Sequence, residues 1–597
     1  MSRFNMQAKA NLPDECTLPS RDALSSEQLR TSNRLQNFRP LLFVVLLGIA
    51  AIVPAFFRGV PYGPDLPAHL RNTLSFNQSI QSGDLYQSWL AESNGGYGDP
   101  SMRLYPPILH YVFAFTHWVT GDWYSAVLFA FAILSVAGGL GVYFWARSYC
   151  SPRLAVFAGA CYVFAPFHVN ELYQSALLGQ YAGGAALAFA FGFTDRVCRR
   201  GRMRDMAGLA LSLAILIYTH IPLTMMAAIA LPIYSLMVVD REKFLSTISK
   251  LALSALIAVT AGALYWTTLV AESGWVKGDT VDPGTRYNYA LNFLFRSFSP
   301  EDSRNWWINI VAIAMALLIW PAFALWRRSS SNTKPLLVLV SFSFLMATPL
   351  SWPIWKVIPK LGSIEFPWRW LAIMSIAGTV AVAAALPFWL EKAQTKLRPV
   401  ALLAAGSVLI ALVFAMSHPI RGAMFQSRPQ FDAMVESLPG TAGFEDGLPI
   451  WSNEKPRPMS QVVEADARAI TIDSWQGEHR AFKIASGEVG DVTEARLRTF
   501  YHPFWRATVD GQPLATSPAA DGALLIALPP NAVSVNLDFN EPRYVKLSGI
   551  ASIVGLLVIA ALFVFSFPRV GALFKARGKS SRIAIPPSQS PSIVEGV

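Results

Sequence analysis

The sequence predicts an all-α polytopic bundle that crosses a membrane about twelve times and carries a small β-rich domain outside it. Composition is the first ground: 53% of the 597 residues are hydrophobic and 15% are charged, whereas soluble chains carry roughly 25% charged residues. The second is the recurrence of apolar runs near the roughly 20 residues that one helical crossing needs. The third is a late stretch, 418–545, where that pattern gives way to strand-like alternation.

The first 40 residues are polar and mixed in charge, with no apolar run before Leu41. They read as a cytoplasmic tail, and a cleaved signal peptide is not expected. Apolar runs follow at 41–57, 125–146, 154–169, 180–197, 206–220, 222–239, 251–270, 307–326, 335–350, 369–390, 399–417 and 546–567. Basic residues gather in alternate connectors: Arg147 and Arg153; Arg196, Arg199, Arg200, Arg202 and Arg204; Arg241, Lys243 and Lys250; Arg327, Arg328 and Lys334; Lys392, Lys396 and Arg398. By the positive-inside rule these connectors are cytoplasmic. Both termini then lie inside, and 568–597 is a basic cytoplasmic tail. The net charge of +11 is therefore topological and does not point to nucleic acid.

The segment 108–120 is apolar but only thirteen residues long. Counting it as a span would put the arginine clusters outside, so it reads as an interfacial or re-entrant helix on the outer face. A transmembrane module over 41–417 thus has outer loops at 58–124, 271–306 and 351–368. In 418–545, Ile470-Thr471-Ile472 and Val535-Asn536-Leu537 alternate like strands, and Val509-Asp510-Gly511-Gln512 signals a hairpin. This region has eleven Lys and Arg against sixteen Asp and Glu, a net −5, which suits an extracytoplasmic domain before the last span at 546–567. The four cysteines, Cys16, Cys150, Cys161 and Cys198, fall at or near cytoplasmic or membrane segments and imply no disulfide framework.

The first outer loop is densest in functional groups. Asp65 and His69 are four apart and share a face if helical, a good place for a general base at the lipid–water boundary. A capping aspartate with an interfacial histidine fits the same spacing. In Ser363-Ile364-Glu365-Phe366-Pro367-Trp368-Arg369, a guanidinium stands at the mouth of a span, where it needs a carboxylate, a phosphate or a lipid head group. Arg369 therefore suits a lipid-linked phosphate, although an aromatic belt with an anchoring arginine explains the run equally well. Glu171, after the third span, is either an acceptor or cation ligand or a solvated loop residue. His220 is a further candidate, at a position where a satisfied interfacial histidine is the commoner role. Lys277, Arg286, Arg296, Arg304, Glu301 and Asp302 add charges without a diagnostic spacing. No His-x-x-x-His, Cys-x-x-Cys, Walker-type or Gly-x-Ser-x-Gly pattern occurs, which leaves a zinc site, an ATP-driven pump and a serine hydrolase unsupported. A divalent metal on outer carboxylates stays open.

The run from Asp65 and His69 through Gly83-Asp84-Leu85-Tyr86, Gly95-Gly96-Tyr97-Gly98 and Tyr105-Pro106-Pro107 to Glu365-Phe366-Pro367-Trp368-Arg369 resembles the bacterial membrane proteins labelled 6-pyruvoyl-tetrahydropterin synthase-related. Phe500-Tyr501-His502-Pro503-Phe504-Trp505, followed by Val509-Asp510-Gly511, is similar to the outer domains of those proteins. They in turn resemble the GT-C superfamily of glycosyltransferases, including the YfhO-like branch. The pterin label implies no pterin chemistry, since the histidine cluster of the soluble pterin synthases is missing from the sequence.

The resemblance implies a GT-C bundle with interfacial helices in the first outer loop, in a bacterial inner membrane with the site on the periplasmic side. It implies a polyprenyl-phosphate-linked sugar as donor and a glycan, lipid or protein acceptor. Asp65, with His69, would be catalytic, and Arg369, with Arg103, would stabilise the leaving phosphate. Tyr105, Glu171, His220, Glu365 and Trp368 complete the candidate substrate-binding set. The competing reading is a non-enzymatic transporter, flippase or assembly scaffold for lipid-linked saccharides.

Overall fold

A computed structural model describes residues 38–566 apart from 278–286, 299–302, 328–331, 439–447, 466–468, 486–492, 530–532 and the single residues 82, 87, 92 and 455. Arg286, Glu301, Asp302, Arg328, Cys16 and both terminal tails therefore lie outside the described residues.

Every expected apolar run contains a helix, but fewer than twelve qualify as crossings. Eight described helices are long and apolar enough alone, and two more qualify as bent pairs: Pro152–Val163 with Pro166–Tyr173, bent by 41°, and Lys334–Ala347 with Pro349–Val357, bent by 87°. The runs at 180–197 and 206–220 form Leu178–Arg200 and Met203–Ile217, which are not among them. The first helix carries Asp195, Arg196, Arg199 and Arg200 in its last turns, and the second is only 15 residues long. The chain alternates regularly nonetheless. Leu178–Arg200 and Ile221–Val238 run toward the basic connectors, and Met203–Ile217 returns from them. Small residues set the helix spacing: a Cβ on Gly555 would stand 2.5 Å from the Ala261 nitrogen, so the last helix, Arg543–Phe565, packs directly on Phe244–Ala261.

Helix Ile108–Thr120 is a separate element. Gly121 ends it at φ +79° with its N–H on the His117 carbonyl, and Asp122 caps the next helix by accepting from the Ser125 N–H at 2.9 Å. At 1.5 Å per residue it reaches about 20 Å, short of the roughly 30 Å hydrocarbon core. It packs along helix Asp65–Gln81 and leaves Phe115, Trp118 and Val119 exposed.

The expected boundary at 417/418 falls inside a helix. Arg398–Gly422 runs on, and its continuation Met424–Gln426 (β2) pairs antiparallel with Val60–Tyr62 (β1) of the first outer loop. The β-rich region proper is two antiparallel sheets. One has the order β3 (Val463–Ala465), β6 (Thr493–Phe500), β10 (Ala523–Leu528), β9 (Thr516–Pro518), and the other β4 (Ile470–Trp475), β5 (His479–Ile484), β11 (Val533–Phe539), β7 (Trp505–Val509), β8 (Gln512–Pro513). Leu497, Leu524 and Ile526 from one sheet and Phe482, Trp505 and Leu537 from the other share a buried core, as in a sandwich. The turn at Asp510 and Gly511 has φ +49° and +78°, the two positive values that a two-residue hairpin uses to match strand twist.

Trp89 and Tyr97 of the first outer loop lie in that same core. Trp89 packs against Trp505 at 5.4 Å, and the Tyr97 carbonyl accepts the Phe500 N–H at 2.7 Å. The outer loop and the sandwich thus form a single packed unit.

Candidate functional site

Gly63 lets the chain enter the site. A Cβ there would stand 2.4 Å from the Ala176 Cβ, so the Gly63-Pro64-Asp65 turn lies directly on the 174–177 loop. Asp65 then opens helix Asp65–Gln81, where the positive end of the helix dipole favours a carboxylate. The 174–177 loop is fixed by Asn170, which accepts from Trp307 Nε1 at 2.6 Å and donates to Ser175 Oγ at 3.1 Å. Gln174 is held by its own bond to the Pro419 carbonyl at 2.7 Å.

Opposite stands the 364–370 segment. Glu365 has φ +64° and sits at the centre of a three-residue turn closed by the Phe366 N–H on the Ile364 carbonyl at 2.7 Å, a strained γ geometry for a non-glycine residue. The same Ile364 carbonyl accepts from Arg369 Nη1 at 2.8 Å. The turn therefore aims the arginine. Arg369 lies over the Phe366 ring at 4.9 Å and 3.9 Å from the Glu365 carboxylate. Its Nε is buried with no hydrogen-bond partner among the described residues, and so is Trp368 Nε1.

Between these segments is a cavity of about 420 Å³ lined by Asp65, Gln174, Ser175, Tyr287, Trp307, Phe366, Trp368 and Arg369. Asp65 and Tyr105 are within electrostatic range of Arg369. A carboxylate at one wall, a guanidinium with an unused donor at another and aromatic faces between them form a site for a base, an anion and a ring.

The other predicted residues fall at different distances from it. His69 is buried one turn behind Asp65, its Nε2 3.5 Å from the Tyr105 hydroxyl. Burial pushes its imidazole down to about 4, so it is neutral at pH 7. Tyr105 is half-buried, and desolvation raises its phenol above the ordinary value, with the Asp65 charge adding to the effect. His220 caps the next helix, its Nδ1 accepting from the Leu223 N–H at 3.1 Å, and a Cβ on Gly179 would meet both its ring and the Tyr105 hydroxyl. These three form the layer behind the cavity.

Glu171 and Arg103 are elsewhere. Glu171 is buried with both oxygens engaged, by Gln180 Nε2 at 2.8 Å and His168 Nδ1 at 3.3 Å, and the His168 ring stacks on Tyr162 and Tyr181. This differs from the solvated or ligand-facing position expected of it. Arg103 is 1% exposed and grips Glu272 through Nε at 2.5 Å and Nη2 at 2.7 Å. It also bonds Glu541, and its guanidinium lies over the Phe504 ring at 5.2 Å. It therefore joins the outer loop to the sandwich and is not among the residues that line the Asp65 cavity. Sequence reasoning missed Tyr287 and Trp307; the Trp306-Trp307 pair at a span entrance was the available signal for the latter. Among the described residues no group of three or more His, Cys, Asp or Glu is placed to hold a metal ion.

The chain resembles two solved membrane enzymes at low similarity. One is the apo oligosaccharyltransferase of Archaeoglobus fulgidus, with 13% identity and a TM-score of 0.42 over 68% of this chain and 57% of that one. The other is ArnT from Cupriavidus metallidurans, solved with undecaprenyl phosphate, with 14% identity and a TM-score of 0.39 over 67% of this chain and 73% of that one. This chain thus spans little more than half the length of the archaeal enzyme. No curated protein matches the sequence. The profile of the 6-pyruvoyl-tetrahydropterin synthase related domain, described as a membrane protein, covers residues 102–426, and on that match, over more than half of its length, the chain belongs to this family of membrane proteins.

Proposed function

We propose that the protein is an integral membrane glycosyltransferase that moves a sugar from a polyprenyl-phosphate donor to an acceptor hydroxyl with inversion. One observation carries the reading: Asp65 and Arg369 line the same aromatic cavity, and the arginine has an unused buried donor. In this mechanism Asp65 takes the proton of the acceptor hydroxyl as its oxygen attacks the anomeric carbon. The bond from that carbon to the phosphate oxygen breaks, and the electron pair leaves with the lipid phosphate, whose charge Arg369 stabilises. The ring faces of Trp307, Phe366 and Trp368 suit the sugar. Tyr105 and His220 position Asp65 and Arg369 from behind, and His69 acts with Tyr105 as a neutral hydrogen-bonding partner. The inner membrane, with the site on the periplasmic face, is the setting that fits the basic connectors at the opposite helix ends.

The test is transfer by purified protein in lipid, offered a panel of polyprenyl-phosphate sugars, for wild type and Asp65→Asn with folding verified in both. The expected result is release of lipid phosphate by wild type and a loss of at least 10²-fold in the variant. Unchanged turnover in Asp65→Asn would move the base elsewhere. No release from any donor, with saccharide-lipid binding intact, would favour a transporter or scaffold.

A further inference from the structure

A second cavity, of about 600 Å³, lies between the C-terminal half of helix Asp65–Gln81 and the β4–β5 turn of the sandwich. Its volume is that of a small-molecule site. Its walls include Ser79, Asp84, Trp475, Gln476, Glu478 and Arg498. Hydroxyl, amide, carboxylate and guanidinium groups thus surround a half-buried indole.

The carboxylates are built in. The Ser88 N–H donates to Glu478 at 3.1 Å, the Ser88 hydroxyl donates to Glu541, and Asp84 accepts the Tyr86 N–H at 3.3 Å. Arg498 brings a guanidinium to the wall, and its Nε is buried with no hydrogen-bond partner among the described residues. Gly96 lets that guanidinium lie close against the first outer loop, since a Cβ there would stand 3.2 Å from the nitrogen. A saccharide matches this lining, because each hydroxyl both donates and accepts while the ring presents a C–H face to an aromatic plane. With the Asp84 carboxylate offsetting the single guanidinium, the cleft has no net positive charge to favour an anionic ligand.

We propose that this cleft is a saccharide-binding site for an uncharged or amino-bearing oligosaccharide, which it grips at a distance from the reacting end. Ser75 and Ser79 stand ten to fourteen residues along the helix from Asp65, about 15–21 Å at 1.5 Å per residue. One sugar ring does not bridge that span, so the ligand is a chain of several residues. Burial, and then the neighbouring Asp84, push the Glu478 carboxyl up to about 7, which equips it both to donate to and to accept from hydroxyls. The inference extends the transferase reading by naming where the acceptor is held, yet its test needs no turnover.

The full-length protein in lipid nanodiscs is titrated calorimetrically with cellotetraose, mannotetraose, chitotetraose, glucosamine tetramer and, as the acidic control, tetragalacturonate. The expected result is saturable binding of at least one of the first four, weakened tenfold or more by Trp475→Ala and by Glu478→Gln. Gln476→Ala, at an exposed turn position, weakens binding as well and guards against a misfolded tryptophan variant. Binding by none of the four, binding that survives all three cleft variants, or binding of tetragalacturonate alone overturns the proposal. Cleft binding without lipid-phosphate release would remove the transferase and keep this site; release without cleft binding would do the reverse.

Discussion

Arg369 was legible in the sequence because physics restricts it: a guanidinium at a span entrance must find a partner. What the residues alone did not show is how it is aimed, through a γ turn at Glu365 that no local pattern announces. If Arg369 stabilises the departing phosphate, Arg369→Gln lowers kcat/KM for transfer by about 10²–10³-fold, the loss typical of one transition-state donor. A change confined to KM would instead mark it as a ground-state anchor. The Asp65–His69 spacing placed both residues on one helix but did not reveal that only the first reaches the cavity. His69 is lowered from 6.5 to about 4 by burial, so the unfolded chain takes up its proton first as pH falls. Stability therefore declines between pH 6.5 and 4 and is insensitive to this group above 6.5. His69→Gln is expected to flatten that decline in thermal unfolding followed across pH, and equal slopes would show that the imidazole is not buried in its neutral form.

Among elements, the helices were easiest to read and their interruptions hardest. Apolar length placed a helix in every expected run, yet it did not show that Met203–Ile217 stops at 15 residues or that the chain bends by 87° after Ala347, where Thr348 is extended before Pro349. Strand alternation at 470–472 and 534–539 gave β4 and β11, and Asp510-Gly511 gave the β7–β8 hairpin. The insertion of Trp89 and Tyr97 into the sandwich was not visible, since it pairs residues some 400 positions apart. Arg103 holds that joint together between two carboxylates. Arg103→Ala leaves Glu272 buried at 2% exposure without its counter-charge, and the expected cost is about 3–5 kcal/mol. Chemical denaturation followed by tryptophan fluorescence should show the midpoint falling for the outer unit. A shift below about 1 kcal/mol would mean that the pair behaves like a surface salt bridge.

At the scale of the molecule, two independent features sort the helix ends into the same two groups. Basic connectors mark one group, and the residues around the Asp65 cavity mark the other. Leu178–Arg200 begins beside the cavity and ends in Arg199 and Arg200, Met203–Ile217 returns to His220, and Ile221–Val238 leads away to Arg241 and Lys243. A membrane gives a physical cause for such sorting, because short loops rich in arginine and lysine are retained on the cytoplasmic side, whereas a domain as long as the sandwich region crosses largely regardless of its charge. With the native cysteines replaced, a thiol reagent that does not penetrate the inner membrane should therefore label cysteine introduced at the exposed positions Leu85 and Gln476 of intact cells. Cysteine introduced at Arg200 or Arg241, both exposed at the opposite helix ends, should react only after the membrane is opened. Labelling at Arg200 from outside would invert the sidedness. Asp65 and Arg369 would then face the cytoplasm, where the sandwich would have to fold as well, and a periplasmic transfer reaction would have no site.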